Sequence, residues 1–309
     1  VRMARIARFV ISDQPTVYHV VSRSALSGLP MGAADKDYLL HLIRRLAKLY
    51  FIDVLGFALM DNHFHLVVRV YPESELTDCE LRRRYKAYHG DDQEIAGELM
   101  AHYRTRMTSL GAFIKDIKQG FTRYYNRKYN RKGYFWGERF KSMIVQNGRT
   151  LVNLLAYVDL NPIRAGIVAR PEDYTWCSIG YHLQTRNRGG LLCVDFGLQE
   201  WNESEPAEIV RRYRQFVYET GAVDAGKGAV IDQRVVERER RRNYRVSRSD
   251  RFRCRSRYFT DAGIIGSKEF VKEVFDRVKH LLGSKDERKF TPVSGIEGMY
   301  SMKRLSSTA

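Results

Sequence analysis

Thr16 to Ser22 (TVYHVVS) is rich in β-branched and aromatic residues and Ile52 to Met60 in apolar ones, the patterns of two strands. Between the first two runs, Asp35 to Tyr50 (DKDYLLHLIRRLAKLY) sets Leu39, Leu42, Ile43 and Leu46 at helical spacing. Asp61-Asn62 suits a two-residue hairpin turn into a strand that opens at His63. Further along, Leu110 to Tyr125 predicts a helix, Phe140 to Val145 a strand, and Thr150 to Asn161 a helix that Pro162 stops. The order β-α-β-β-α-β-α predicts an α+β fold with a ferredoxin-like antiparallel sheet and helices on one face. Tyr71 to Met107, locally polar and acidic, reads as an insertion of two helical pieces rather than as core.

This unit spans residues 1–183, with its insertion at about 71–107. TRNRGG at 185–190 marks a linker over 184–205, and residues 206–309 form a basic, mainly helical extension with helices expected over Pro206 to Thr220 and Ser267 to Leu282. Within the extension, Arg234 to Tyr258 holds eleven arginines against three acids. Such a run is either a solvated charged face or a nucleic-acid arm. The whole chain favours the arm: 53 Lys and Arg against 36 Asp and Glu leave a formal charge of +17 over 309 residues, which suits a polyanionic partner, nucleic acid ahead of an anionic membrane surface. Seven prolines and 44% hydrophobic residues argue against a disordered chain. Cys79, Cys177, Cys193 and Cys254 form no CxxC pair, which indicates neither a zinc knuckle nor a disulfide framework and fits a reducing, cytosolic setting. The basic opening VRMARIARFVISDQ lacks the apolar centre of a signal peptide, and no run approaches the roughly 18 apolar residues of a membrane span, so a soluble protein is expected.

Three clusters carry candidate chemistry. In MDNHFHLVV the period of a strand puts His63 and His65 on one face with Val67, and Phe64, Leu66 and Val68 on the other. The pair is either two half-exposed strand histidines or part of a metal site. In RTLVNLLAYVDLNP, Leu151, Leu154, Leu155 and Val158 make the inward stripe, leaving Tyr157 and Asn161 one turn apart on its flank. The structural alternative is a core-edge tyrosine and an asparagine that ends the helix. Third, FTRYYNRKYNRKGYFWGERFK interleaves basic groups with Tyr124, Tyr125, Tyr129, Tyr134, Phe135 and Trp136, a single-strand groove or else a basic helix over an aromatic core. Its expected DNA contacts are Arg123, Arg127, Lys128, Arg131, Lys132, Arg139 and Lys141.

Four segments in order, TVYHVVSR, MDNHFHLVV, GYFWGERFKS and AYVDLNPIRAGIV, resemble the REP-associated tyrosine transposases, relatives of the single-tyrosine HUH transposases, from about Arg8 to about Tyr181. The resemblance implies a single-stranded DNA endonuclease and strand transferase acting through a covalent 5′-phosphotyrosine on hairpin-forming repeats, in the bacterial cytoplasm at the nucleoid. His63-Phe64-His65 fills the HUH motif, and the nucleophilic tyrosine maps to Tyr157. The amide one turn on, often glutamine in the family, is the shorter Asn161. The metal is then Mg²⁺ or Mn²⁺, with imidazole tilting affinity toward Mn²⁺. Asp159 and Glu138 are the candidate bases for Tyr157, and His19 is either a third ligand or an ordinary strand residue. A site built in one chain and a homodimer exchanging the Tyr157 helix both remain open. Other functions that fit the charge are a nucleic-acid-binding protein without cleavage activity and a hydrolytic metal-dependent RNA nuclease. Because His63, His65 and Tyr157 precede the linker, the extension is expected to aid binding and to be dispensable for chemistry.

Overall fold

Four strands, β1 (Thr16–Arg23), β2 (Ile52–Leu59), β3 (His63–Val70) and β4 (Lys141–Val145), pair antiparallel in the order β2-β3-β1-β4 in the computed structural model, which describes residues 10–224, 226, 228–246, 262–278, 291–292, 298 and 300–303. This is an α+β fold with the strand order of a ferredoxin-like sheet. Helix α1 (Ala33–Leu49) joins β1 to β2; α2 (Asp78–His89), α3 (Met100–Met107) and α4 (Leu110–Lys128) lie between β3 and β4. On one face of the sheet, Tyr18, Val20, Phe64, Leu66 and Val68 pack with Leu39 and Ile43 of α1 and Phe113, Ile117 and Phe121 of α4. The insertion belongs to this core: Leu76, Leu81, Ile95 and Met107 are all buried in it. Its polar composition hid these residues, because only one or two per turn face inward.

The other face presents Val17, His19, Val21 and Arg23 of β1 beside His63, His65, Val67 and Arg69 of β3, as the strand period requires. Helix α5 (Arg149–Asp159) crosses it, burying Leu151, Val152, Leu155, Ala156 and Val158 against Val17, Leu55, Ala58 and Val67. So α1 and α4 share one face as expected, while α5 and the helices after it cover the opposite one, which the periodicity did not place. Gly56 allows the close approach. At a β-bulge between Val54 and Gly56, a Cβ on Gly56 would stand 2.5 Å from Leu155 Cδ2 and 3.1 Å from Ser178 Oγ.

After α5 come α6 (Asn161–Arg164), α7 (Ser178–Thr185), α8 (Phe196–Trp201) and α9 (Pro206–Gly221). The segment read as a linker is packed: Leu191, Leu192 and Phe196 are buried, and the Cys193 N–H donates to the Val54 carbonyl at 2.8 Å along the β2 edge. The extension joins the same core, since Ile209, Tyr213, Val217 and Tyr218 of α9 cluster with α5. A buried ionic network reinforces the joint. Arg214, 1% exposed, bonds Glu172, donates to Glu239 at 2.8 Å and to the Tyr244 carbonyl at 2.9 Å, while Arg170 lies 3.7 Å from both carboxylates. The first half of the arginine-rich stretch is therefore no free arm. Helix α10 (Gln233–Arg241) docks through Val236 and Glu239, and Arg234, Arg238, Arg241 and Arg245 point outward; residues 247–258 of that stretch lie outside the described residues. Beyond them the extension is not purely helical. Ala262–Gly266, Tyr300–Lys303 and Thr291–Pro292 form a small antiparallel sheet, accompanied by a helix over Lys268–Val278 that buries Val271 and Phe275. No described helix is long and apolar enough to cross a membrane.

Candidate active site

Register assembles the site. Across β1 and β3, Arg23 stands opposite His63, Val21 opposite His65, and His19 opposite Val67. His19 and His65 are thus diagonal neighbours on one face, roughly 7–8 Å apart in the backbone and within reach of two rings. Their rings stack with centroids 5.2 Å apart and planes 12° from parallel, and His19 Nε2 meets His65 Nδ1 at 2.9 Å. His63 lies 5.1 Å from His65, centroid to centroid, and its Nδ1–H donates to Asn62 Oδ1 at 2.7 Å. Above them α5 delivers Tyr157, edge-on at 5.8 Å to the His65 ring and 6.3 Å to the His19 ring. His19 and His65 are buried, whereas Tyr157 is 42% exposed, so the tyrosine is the open side of the cluster.

Burial lowers the proton affinity of all three imidazoles, His19 to about 4 and His65 to about 3, the latter helped by its two histidine neighbours; His63 is lowered by burial and then by the Arg23 charge. Neutral imidazoles have lone pairs to offer, and these two are oriented to offer them. The Asn62 oxygen can only accept, which fixes the His63 proton on Nδ1 and leaves Nε2 bare. His65 does the same when its Nδ1–H donates to His19 Nε2. Holding one ring nitrogen with a neighbour while the other faces a metal is the usual arrangement around histidine ligands. The residues therefore fit a divalent ion at the two Nε2 atoms. In that tautomer His19 orients His65 through its own Nε2. Among the described residues no group of three or more His, Cys, Asp and Glu side chains is disposed to hold a metal, so the remaining ligands would come from an amide, water or substrate oxygens.

The other predicted residues separate clearly. Asn161 Nδ2 donates to the Tyr157 carbonyl at 2.9 Å and the Val158 carbonyl at 3.3 Å, capping the end of α5. No hydrogen bond links it to the histidines; its Oδ1 is the atom it would contribute. Asp159 is fully buried on the far side of α5, accepting from Tyr213 Oη at 2.6 Å and from the Ile179 N–H at 3.1 Å, and burial raises its carboxyl to about 6. It is a core carboxylate, not a base facing Tyr157. The Glu138 side chain is exposed in the loop before β4.

Lys141 lies across Val21 from His65 on the site face, with its ammonium exposed. Arg123 and Arg127 are exposed on the outer side of α4, across the sheet from the histidines, and Lys132 is exposed in the loop that follows. Arg139 lines a cleft of about 650 Å³ with Tyr18, Tyr71 and Phe140, also on the α4 side. Lys128 pairs with buried Asp35 at 2.6 Å, and half-buried Arg131 stacks over the Tyr125 ring at 5.9 Å. The aromatic groove is largely internal. Tyr125, Phe135 and Trp136 are buried, Tyr124 stacks on Tyr38 at 3.7 Å, Tyr129 donates to Asp35 at 2.8 Å, and Tyr134 alone among the six is open, at 74%. Three site-face residues escaped the sequence reading in these roles: Asn62, His19 and Arg23. Each sits in or beside a quoted motif, but only the β1–β3 register shows what it faces.

No protein-family model matches the chain, and no curated protein matches it. Among solved structures it is similar to a REP-associated tyrosine transposase bound to a REP hairpin, with TM-score 0.42 and 14% identity over 62% of this chain and 90% of that one. It is also similar to a transposase candidate from Deinococcus radiodurans R1, with TM-score 0.26 and 14% identity over 51% of this chain and 96% of that one.

Proposed function

We propose that the protein is a metal-dependent single-stranded DNA endonuclease and strand transferase that works through a covalent 5′-phosphotyrosine at Tyr157. The observation that carries this reading is the placement of an exposed tyrosine edge-on above His65 and His19, with His63 beside His65 on the same strand face. His63 and His65 would hold a Mg²⁺ or Mn²⁺ ion through Nε2, with Asn161 Oδ1 the nearest amide in sequence. Bound there, the ion supplies positive charge to a non-bridging phosphate oxygen. The Tyr157 oxygen attacks phosphorus, a phenolic O–P bond forms and the P–O3′ bond breaks; the proton that the phenol gives up to water balances the one that the departing 3′ oxygen takes from it. The bond is exchanged rather than hydrolysed, so a later 3′-hydroxyl can reverse the step on the same or another strand without a nucleotide cofactor. The choice of hairpin-forming DNA rests on the four-segment resemblance, and the net charge of +17 supports a nucleic-acid partner.

The test uses a 3′-labelled hairpin oligonucleotide with Mn²⁺, followed by denaturing electrophoresis. Wild-type protein should carry the label covalently on the peptide containing Tyr157. Tyr157→Phe should form no adduct and cut nothing while binding DNA as before, because it loses only the attacking oxygen. Cleavage by Tyr157→Phe at the wild-type rate would replace this mechanism with a hydrolytic nuclease.

A further inference from the structure

We propose that Arg23 is a catalytic residue that grips the scissile phosphate beside the metal-binding histidines, an inference that rests on the proposed strand-cleavage reaction. Arg23 is the last residue of β1, and the period of two puts its side chain on the face of His19 and Val21. It stands directly opposite His63, where facing Cβ atoms are about 4.5–5.5 Å apart. The backbone there is pinned on both sides. Its own carbonyl accepts from the Gly137 N–H at 3.0 Å, and the next N–H, that of Ser24, donates to the Asn62 carbonyl at 2.8 Å, on the turn that also orients His63.

The guanidinium itself is exposed and, among the described residues, makes neither an ion pair nor a hydrogen bond. The nearest acid along the hairpin, Asp61, is taken by Lys36 Nζ at 2.5 Å. A permanent cation beside an imidazole that is to receive a metal cation is an electrostatic conflict. An anion bridging the two positive groups removes the conflict, and a phosphodiester has the right form: one non-bridging oxygen for the metal side and one for the planar, two-pronged guanidinium. Lys141, on the other side of Val21, extends the same positive edge along the strand path. Arg23 then stabilises the charge that builds on phosphorus oxygens as Tyr157 attacks, in addition to binding the ground state.

The experiment measures single-turnover cleavage of the hairpin oligonucleotide at saturating DNA and Mn²⁺ for wild type, Arg23→Ala and Arg23→Lys. Affinity for DNA, Mn²⁺ binding to the free protein by electron paramagnetic resonance, and thermal melting are followed in parallel. Arg23→Ala should cut about 100-fold more slowly, with the melting temperature unchanged and Mn²⁺ bound at least as tightly as in wild type. Arg23→Lys should recover part of the rate, since it keeps the charge but not the two-pronged grip. If wild type forms the tyrosine adduct and Arg23→Ala cuts as fast, the proposal for Arg23 alone is overturned. Loss of Mn²⁺ binding in Arg23→Ala would overturn it too, by assigning Arg23 to the upkeep of the metal site. If wild type forms no adduct, the strand-cleavage reading falls and Arg23 with it.

Discussion

Tyr157 and Asp159 are two positions apart on one helix and face opposite ways, because two residues turn an α-helix by about 200°. In sequence Asp159 is merely the ionisable group nearest the tyrosine; in the fold it is sealed beneath α5 with Tyr213 and the Ile179 N–H. Among the described residues no cation compensates it, and its carboxyl is raised to about 6 from an ordinary 3.8. The sign follows from proton counts. Between those two values the native state holds a proton that the unfolded state has released, so stability is fully present below the unfolded value and is lost as pH rises through the folded one. At neutral pH this amounts to a cost on the order of 3 kcal/mol. Asp159→Asn keeps an acceptor for Ile179 and lets the Tyr213 hydroxyl accept instead of donate. Urea unfolding of this variant should show a flatter dependence on pH between pH 4 and 7, and a stability at pH 8 no lower than wild type. An unchanged pH profile would show that Asp159 does not carry the titration.

At the scale of elements, the approach of α5 to the sheet decides where Tyr157 sits, and Gly56 sets that approach. A methyl at this position would lie 2.5 Å from Leu155 Cδ2, in a core where Leu155 is 2% exposed and has nowhere to retreat. Gly56→Ala should cost about 1–3 kcal/mol, the usual penalty of overpacking, and, on the proposed mechanism, should slow adduct formation more than it weakens DNA binding, because it lifts the helix that carries Tyr157. Pairing it with Leu155→Val, which removes one methylene, should restore part of both; a double variant no better than the sum of the singles would place the strain elsewhere. The strands, α1, α4 and α5 were legible because their apolar periods are strong, and His63 with His65 because alternation alone puts them side by side. Register was not legible in the same way. That His19 would meet His65, or Arg23 face His63, depends on which residues of β1 and β3 pair, and neither strand's own pattern states it. The pairing of Lys128 with buried Asp35 was hidden for a related reason: a cation's partner can lie far off in sequence.

For the whole molecule, the question is where the body that holds Tyr157 ends. Charge and the TRNRGG turn suggested an end near residue 183, with a separable basic extension. The packing carries the body further. Helix α9 buries Ile209, Tyr213, Val217 and Tyr218 in the cluster that also holds α5, each worth about 1.5–3 kcal/mol when removed from water. Arg214 meets Glu172, across the chain from α9, and Glu239 of α10. Cutting at residue 205 would expose the underside of the Tyr157 helix and strip Glu172 of Arg214 and Tyr218, leaving it Arg170 at 3.7 Å. That loss is comparable with the whole margin of an ordinary domain, about 5–15 kcal/mol. A chain of residues 1–205 should therefore fail to show a cooperative melt, and with it lose adduct formation. A chain of residues 1–246 keeps α9, α10 and the Tyr244 carbonyl that Arg214 uses. It should melt cooperatively and form the Tyr157 adduct at a single-turnover rate near that of the full chain. Because it lacks the arginines beyond Val246, its DNA affinity should fall less steeply with salt, by roughly 0.7 in the log–log slope for each single-strand phosphate that those arginines neutralise. Melting curves and cleavage assays on the two truncations decide the matter: an active, folded 1–205 chain would mean that α9 and α10 only lean on a body complete without them.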